Sequence, residues 1–229
     1  MNLENLYKNF LFYFIMFNKI LIFFKFILIK IYMFFIKLIY RNRLNNKIFE
    51  GRTFRSCIRW SLFIPIEDKP INYLEIGSFN GSSVIDFSNI FGANKKSKLY
   101  CIDPWADYDE YPEYKNLNNK NYDIFKKNIA NNKLTDKVIT LRGYSHEKIP
   151  ELNDNFFDII YIDGNHETKY VLEDGELALK KLKKNGFMIF DDYDWDTVKI
   201  AVNNFSKKYK YLERHDIYYG WKVKQVLFI

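Results

Sequence analysis

The chain has 229 residues, which suits one sizeable α/β domain with an appendage and argues against two full domains. Residues 1–50 hold eight Lys/Arg against two Glu, so they account for +6 of the net charge of +7 and leave +1 for the rest. That remainder lacks the broad basic surface of a nucleic-acid-binding protein, and we expect no nucleic-acid partner. The two cysteines, Cys57 and Cys101, offer neither a disulfide framework nor a cysteine-type zinc site.

The N-terminal segment is unusually apolar. Residues 10–40 are nearly all apolar, but an asparagine and four lysines interrupt them, so no run of roughly 18 uncharged residues exists. At about 100° per residue, Lys19, Lys30 and Lys37 fall close together on a helical wheel. The pattern predicts an apolar helix with a basic stripe in residues 1–45, and we expect it to associate with a membrane.

Several arrangements of this helix stay open at this point. It could lie in the headgroup region, with lysines near phosphates and apolar side chains in the acyl boundary. It could span the bilayer, and Arg41, Arg43 and Lys47 would then hold the rest of the chain on the cytoplasmic side. It could also be buried in the interface of a homo-oligomer, or precede a true start at Met16 or Met33 in a cytoplasmic protein. No small-residue cleavage site follows it, so we do not interpret it as a secretory signal.

Residues 46–229 alternate between extended apolar runs, which predict strands, and amphipathic runs, which predict helices. The predicted strands are residues 71–76, 98–102, 138–141, 157–162 and 187–190, and the predicted helices are residues 81–91, 122–131, 169–184 and 197–209. Gly186 is interpreted as a helix stop. Two last extended runs, 212–219 and 221–229, meet at Gly220 and are therefore expected to be antiparallel neighbours. The alternation indicates an α/β fold with a mostly parallel sheet covered on both faces.

The first predicted strand ends in a turn that contains Glu75, Gly77 and Gly81 and opens onto a helix. Glycines let the backbone approach a ligand, and a helix N-terminus favours an anionic group. Phe79 interrupts the dinucleotide fingerprint, which argues against a nicotinamide dehydrogenase. The second strand ends at Asp103, where an acid can accept hydrogen bonds from both hydroxyls of a ribose.

Four later motifs follow in order along the chain. They are Gly143-Tyr-Ser-His146, Ile149-Pro-Glu-Leu152, Asp158-Ile-Ile-Tyr-Ile-Asp-Gly-Asn-His166 and Phe187-Met-Ile-Phe-Asp-Asp-Tyr193. With the glycine turn they resemble class I S-adenosylmethionine (SAM)-dependent methyltransferases. The resemblance is to the bacterial group that includes macrocin O-methyltransferase, with a more distant similarity to catechol O-methyltransferase. It implies a Rossmann-like three-layer sandwich with a mostly parallel seven-stranded sheet, whose last strand is antiparallel.

The resemblance also implies how the cofactor is held. By position, the methionine part of SAM falls to Glu75, Gly77 and Gly81, and the ribose to Asp103. Ser145 and His146 match positions that flank adenine in that group.

Three carboxylates, Asp163, Asp191 and Asp192, follow adjacent predicted strands and are expected to converge at one sheet edge. They repel one another unless a cation joins them, and oxygen ligands suit Mg²⁺. This also matches the metal position of the resembling group. His166 has a suitable pKa for a general base, and many members of that group have Asp where this chain has Asn165. Asp163 and His166 are therefore the predicted catalytic pair.

The sequence thus predicts metal-assisted methyl transfer from SAM to a hydroxyl of a small polar acceptor, with a sugar or glycoconjugate favoured by the resemblance. Two alternatives remain at this point. One is a SAM-binding, membrane-tethered scaffold that no longer catalyses. The other is a metal-independent N-methyltransferase, although Asp191-Asp-Tyr193 stands where many base-methylating enzymes have an Asn-Pro-Pro-Tyr type motif.

Overall fold

The computed structural model describes residues 24, 27–41, 48–51, 57–106 and 118–229, without the side chains of residues 118 and 119. Contacts divide the chain into two units, Met1–Asn42 and Arg43–Ile229. In the first unit, residues 27–39 form a helix, α1, and a hydrogen bond from the Tyr40 amide to the Ile36 carbonyl continues its last turn toward Arg41, which is also helical. Most of the predicted N-terminal helix lies outside the described residues. Within the described ranges, no helix combines the length and the hydropathy needed to cross a membrane.

The described residues of the second unit form a seven-stranded sheet with the order β3-β2-β1-β4-β5-β7-β6. Its strands are β1 (Asn72–Ile76), β2 (Lys98–Asp103), β3 (Val138–Arg142), β4 (Phe157–Ile162), β5 (Leu182–Phe190), β6 (Arg214–Tyr219) and β7 (Lys222–Phe228). The first five pair in parallel, whereas β7 runs antiparallel to both of its neighbours. The predicted mostly parallel sheet with an antiparallel last strand is confirmed.

Helices cover both faces of this sheet. They are α2 (Ser82–Ile90), α3 (Asn118–Asn131), α4 (Ser145–Lys148), α5 (Thr168–Leu179) and α6 (Asp196–Lys208), with short 3-10 helices at Cys57–Leu62 and Ile149–Glu151. Successive strand residues point to opposite faces, so each buried strand supplies two cores. One core packs Leu74, Ile160 and Met188 against α5 and α6. On the other face Trp60 lies against Phe87 and Tyr161.

The boundary between α5 and β5 differs from the prediction. The helix ends at Leu179, not near Lys184, and β5 begins at Leu182. Leu182 is buried and pairs with Phe157, so tertiary packing extends the strand through a lysine-rich stretch that suits a helix by composition. Gly186 therefore lies inside a strand, where a Cβ atom would come 3.0 Å from the carbonyl oxygen of Asp158.

Candidate active site

The loop between β1 and α2 has a backbone that few side chains tolerate. Gly77, Phe79 and Gly81 have φ angles of 85°, 41° and 81°, all in the left-handed region. A Cβ atom on Gly77 would lie 2.0 Å from the carbonyl oxygen of Asp163, and one on Gly81 would lie 3.0 Å from the Phe125 ring. The two glycines therefore form a backbone cradle at the start of α2, and Gly77 brings it against the end of β4.

Asp103 fixes this loop from the end of β2. Its Oδ2 accepts a hydrogen bond from the Phe79 amide at 2.9 Å, and its Oδ1 accepts one from the Trp105 amide at 2.7 Å. Phe79 and Trp105 both have a φ of 41°, a conformation that costs an L residue energy unless its surroundings impose it. The Trp105 indole also donates to the Phe79 carbonyl at 2.8 Å. One half-buried carboxylate thus holds two strained residues beside the glycine cradle.

Glu75 lies beneath the loop and is fully buried. Its carboxylate accepts hydrogen bonds from the Tyr73 hydroxyl at 2.7 Å and the Ser83 hydroxyl at 3.2 Å. Burial raises the pKa of Glu75 to about 7, although both donors act in the opposite direction. In this position the side chain ties β1 to the first turn of α2 and underpins the cradle.

The predicted adenine-side residues lie at the start of α4. Ser145 is half-buried and hydrogen-bonds the side chain of Asp174, whereas His146 is exposed and stacks on Tyr144 with ring centroids 5.7 Å apart. Asp174 is almost fully buried on α5, and its Oδ2 would lie 3.3 Å from a Cβ atom placed on Gly164. Burial raises the pKa of Asp174 to about 7. This acid therefore lies between the α4 loop and the loop that follows β4.

Three potential ligand atoms converge where β4 and β5 end. Asp163, His166 and Asp192 each direct one such atom to a common region, all within 4.8 Å of one another. The His166 Nε2 lies 3.1 Å from Asp192 Oδ2 and 3.9 Å from Asp163 Oδ1. The His166 ring stacks on Trp195 with centroids 4.7 Å apart, which fixes its plane. We name this group the Asp163 cluster.

Asp191, the third predicted metal ligand, is directed elsewhere. Its Oδ2 accepts a short hydrogen bond from the Tyr161 hydroxyl, and its Oδ1 accepts one from the Asp192 amide at 2.9 Å. Tyr161 also lies 3.1 Å from Asp163 Oδ2, so its hydroxyl bridges the two acids. Asp191 therefore adjoins the Asp163 cluster without contributing an atom to it.

The electrostatics of this edge favour a cation. Burial and the neighbouring charges of Asp191 and Asp192 hold the pKa of Asp163 well above its usual range. Burial and Asp192 likewise raise the pKa of Asp191 to about 6. A positive charge would reverse both effects by stabilising the ionised carboxylates. The carboxylates of Asp163 and Asp192 supply hard oxygen ligands that suit a divalent metal ion, and the His166 imidazole lies beside them.

A sheet of this order, with a glycine cradle after β1 and an acid after β2, defines the class I methyltransferase fold. A family model described as "Methyltransferase domain", of methyltransferase family 24, matches residues 74–193, which is more than half of the chain. The chain belongs to this methyltransferase domain family. The predicted family is thereby confirmed.

Two curated relatives agree with this assignment, and a solved structure shares the fold. An uncharacterized protein, R132 of Acanthamoeba polyphaga mimivirus, is 31% identical over 62% of this chain and 62% of its own length. The O-methyltransferase hkm8 of Aspergillus hancockii is 29% identical over 58% of this chain and 47% of its own length. The crystal structure of an O-methyltransferase from Bacillus cereus in complex with S-adenosylhomocysteine (SAH) matches 69% of this chain and 72% of its own, with 19% identity and a TM-score of 0.52. The similarity thus spans about half to two thirds of the length of the curated relatives.

Sequence reasoning did not single out Tyr161 or Asp174. Tyr161 precedes Asp163 by two residues in β4, and the two-residue period of a strand places both on one face. Asp174 follows Val171 by three residues and precedes Ala178 by four, so it lies on the apolar face of α5. An acidic residue on the apolar face of a helix is unusual, and this feature could have identified Asp174 from the sequence.

The buried acids predict a pH dependence of stability in the absence of ligands. Glu75 and Asp174 keep a proton up to a pH of about 7 in the folded chain, but lose it near pH 4 to 5 when unfolded. Across that interval the unfolded chain binds fewer protons, so stability falls as pH rises, until both states are ionised. We expect the Tm to be several degrees lower at pH 8 than at pH 5.5.

Scanning calorimetry at these two pH values tests this expectation. Asp174→Asn cannot ionise, so its Tm should depend less steeply on pH than that of the wild type. A wild-type Tm that stays constant or increases across the interval would contradict the assignment of these two groups.

Proposed function

We propose that the chain is a SAM-dependent O-methyltransferase in which a divalent cation assists methyl transfer to a hydroxyl of a small polar acceptor. The observation that carries the proposal is the contact between Gly77 and the carbonyl of Asp163. Because of it, the cofactor cradle and the Asp163 cluster share one edge of the sheet. A methyl donor and a hydroxyl acceptor have to meet at such a place.

The cofactor site follows from the loop geometry. The cradle of Gly77 and Gly81 admits a ligand where other residues would place a Cβ atom, and it precedes the N-terminus of α2. Asp103 is assigned to the ribose, since each of its oxygens has a further lone pair beyond those used by Phe79 and Trp105. Ser145 and His146 are assigned to the adenine side. Glu75 is assigned to the methionine end, where an ammonium group would lower its raised pKa.

The cation would be held by Asp163 and Asp192, with Asp191 as a third ligand if its carboxylate turns away from Tyr161. Mg²⁺ is the first candidate, because carboxylate oxygens are hard ligands. When bound, such an ion would lower the pKa of the acceptor hydroxyl and fix its orientation. Tyr161 holds the second oxygen of Asp163, so the first remains directed toward the cluster.

We assign His166 to the removal of the hydroxyl proton. Its imidazole is mostly buried, its plane is fixed by Trp195, and its Nε2 lies beside Asp192, whose charge stabilises the imidazolium that forms. Asp163, 3.9 Å from the same nitrogen, adds to that stabilisation. The chain thus supplies a base within the cluster that binds the acceptor oxygen.

The acceptor class rests on two features. The relative hkm8 is named an O-methyltransferase, which supports oxygen as the methylated atom. The Trp195 side chain is 42% exposed next to His166 and offers a flat apolar surface to a ring at the cluster. A sugar or a glycoconjugate meets both requirements, and it is the acceptor that we favour.

The direct test is transfer of labelled methyl from SAM to a panel of glycosides, catechols and amines, with Mg²⁺ or with a chelator. Label on a hydroxyl acceptor that disappears with the chelator supports the proposal. Label on amines alone, independent of metal, would indicate an N-methyltransferase instead. SAM binding without turnover of any acceptor would favour a scaffold.

His166→Asn is expected to lower kcat by about 10²- to 10⁴-fold, the usual contribution of a general base. The variant should also lose the acidic limb of the pH profile of kcat, while its affinity for Mg²⁺ in calorimetric titration stays unchanged. His215→Asn is the matched control, because that ring packs on Phe63 and pairs with Glu213. A large loss of Mg²⁺ affinity in His166→Asn would place the imidazole among the ligands and contradict its role as base.

A further inference from the structure

Helix α1 has three distinct faces when its residues are placed at about 100° per residue. One narrow stripe is buried or half-buried; its residues are Ile29, Met33, Ile36 and Tyr40. Met33 and Ile36 are only 6% and 9% exposed. The remainder of the helix surface faces solvent.

Most of that solvent-facing surface is apolar. The exposed residues, which together cover an arc of roughly 160° at this spacing, are Ile27, Leu28, Ile31, Tyr32, Phe34, Phe35, Leu38 and Ile39. Leu28, Phe34 and Ile39 are 65%, 63% and 69% exposed. Large side chains that are contiguous and exposed in this way mark a surface that binds something apolar.

The third face is basic and borders the apolar arc along one side. Lys30, Lys37 and Arg41 are all exposed, and they lie within about 40° of one another on the wheel. They stand between the buried stripe and the apolar arc. The charged border therefore runs along the length of the helix, next to the residues that need to leave water.

We propose that this face of α1 docks on a lipid surface with anionic headgroups. The apolar arc would enter the acyl boundary while the three cations contact phosphates, the arrangement of an interfacial amphipathic helix. A second copy of the chain fits less well, because the described residues of α1 include no acidic side chain that could pair with the basic border of another copy. The proposal concerns a different surface from the candidate active site and does not depend on the proposed function.

Flotation of the full-length chain with vesicles tests the proposal. The chain should float with vesicles that contain phosphatidylglycerol at least tenfold more than with pure phosphatidylcholine, and high salt should weaken this binding. Lys30→Glu/Lys37→Glu and Phe34→Ser/Leu38→Ser should each lower the bound fraction about tenfold. Their controls are Lys207→Glu and Tyr211→Ser, which change an exposed lysine and an exposed aromatic residue elsewhere.

Two results would overturn the proposal. One is failure of the wild type to float with anionic vesicles. The other combines two observations: the wild type forms a dimer in sedimentation velocity that Phe34→Ser/Leu38→Ser does not form, and that variant floats as well as the wild type. The apolar face would then contact a second copy of the chain and not a lipid surface. Circular dichroism and the Tm of each variant show whether it is folded. Neither measurement depends on SAH binding, so failure of this proposal is distinguishable from failure of the proposed function.

Discussion

Replacing Gly77 with alanine is expected to abolish cofactor binding and to destabilise the chain markedly. The new Cβ atom would lie 2.0 Å from the Asp163 carbonyl oxygen and 2.8 Å from the Gly164 Cα, both backbone atoms that cannot move aside alone. The φ of 85° adds strain of about 1–2 kcal/mol for an L residue, and overpacking typically adds about 1–3 kcal/mol. At about 2–4 °C per kcal/mol, the Tm should fall by roughly 10 °C. The affinity for SAH should fall at least about 100-fold, because the cradle and the β4 loop would separate.

Gly220→Ala is the matched control for this substitution. Gly220 also has a positive φ, 65°, but a Cβ atom there would meet nothing within 4 Å. Its Tm should therefore fall by only a few degrees, and SAH binding should be unchanged. If Gly77→Ala bound SAH as tightly as Gly220→Ala does, the close contact with Asp163 would have no role in the cofactor site.

Asp103→Ala is expected to weaken SAH binding at least about 100-fold relative to the wild type in calorimetric titration. The substitution removes the proposed ribose acceptor and both hydrogen bonds that hold Phe79 and Trp105 at positive φ. Hydrogen bonds to a charged group contribute about 1.5–3 kcal/mol each, so the loop should relax toward ordinary backbone conformations. We therefore expect loss of the cofactor site and a lower Tm together.

The comparison variants for Asp103→Ala are Asp103→Asn and Asp136→Ala. The amide retains one acceptor oxygen, so Asp103→Asn should bind SAH with intermediate affinity. Asp136 is an exposed loop acid, and its loss should leave binding unchanged. Equal SAH affinity in Asp103→Ala and wild type would show that this carboxylate neither contacts the ribose nor shapes the loop.

The order of elements was predictable from the sequence because buried parallel strands are short apolar runs with polar ends. The strand predicted at residues 157–162 has those bounds in the structure. The start of β5 was not predictable, because residues 182–186 are mostly polar and the strand begins with the pairing of Leu182 and Phe157, ahead of a register shift that leads to the next pair at Phe187. Local composition does not reveal that Leu182 pairs with Phe157, which lies 25 residues earlier in the chain.

The candidate site was predictable to the level of which residues lie at the carboxyl edge. The glycine turn, Asp103 and the acids after β4 and β5 all lie there, as strand ends dictate. The direction of each side chain was not predictable. Asp191 turns to Tyr161 and His166 takes a place in the cluster, and both depend on contacts between different strands. Asp103 likewise acquires its hold on two strained residues only once the loops are folded.

Binding of the methyl donor at the cradle between β1 and α2 is the property on which the other functional assignments depend. The most direct test is calorimetric titration of the full-length chain with SAH, in the presence and absence of Mg²⁺. We predict one saturable site per chain that is lost in Asp103→Ala. Well-folded wild-type protein that binds no SAH under either condition would contradict the assignment.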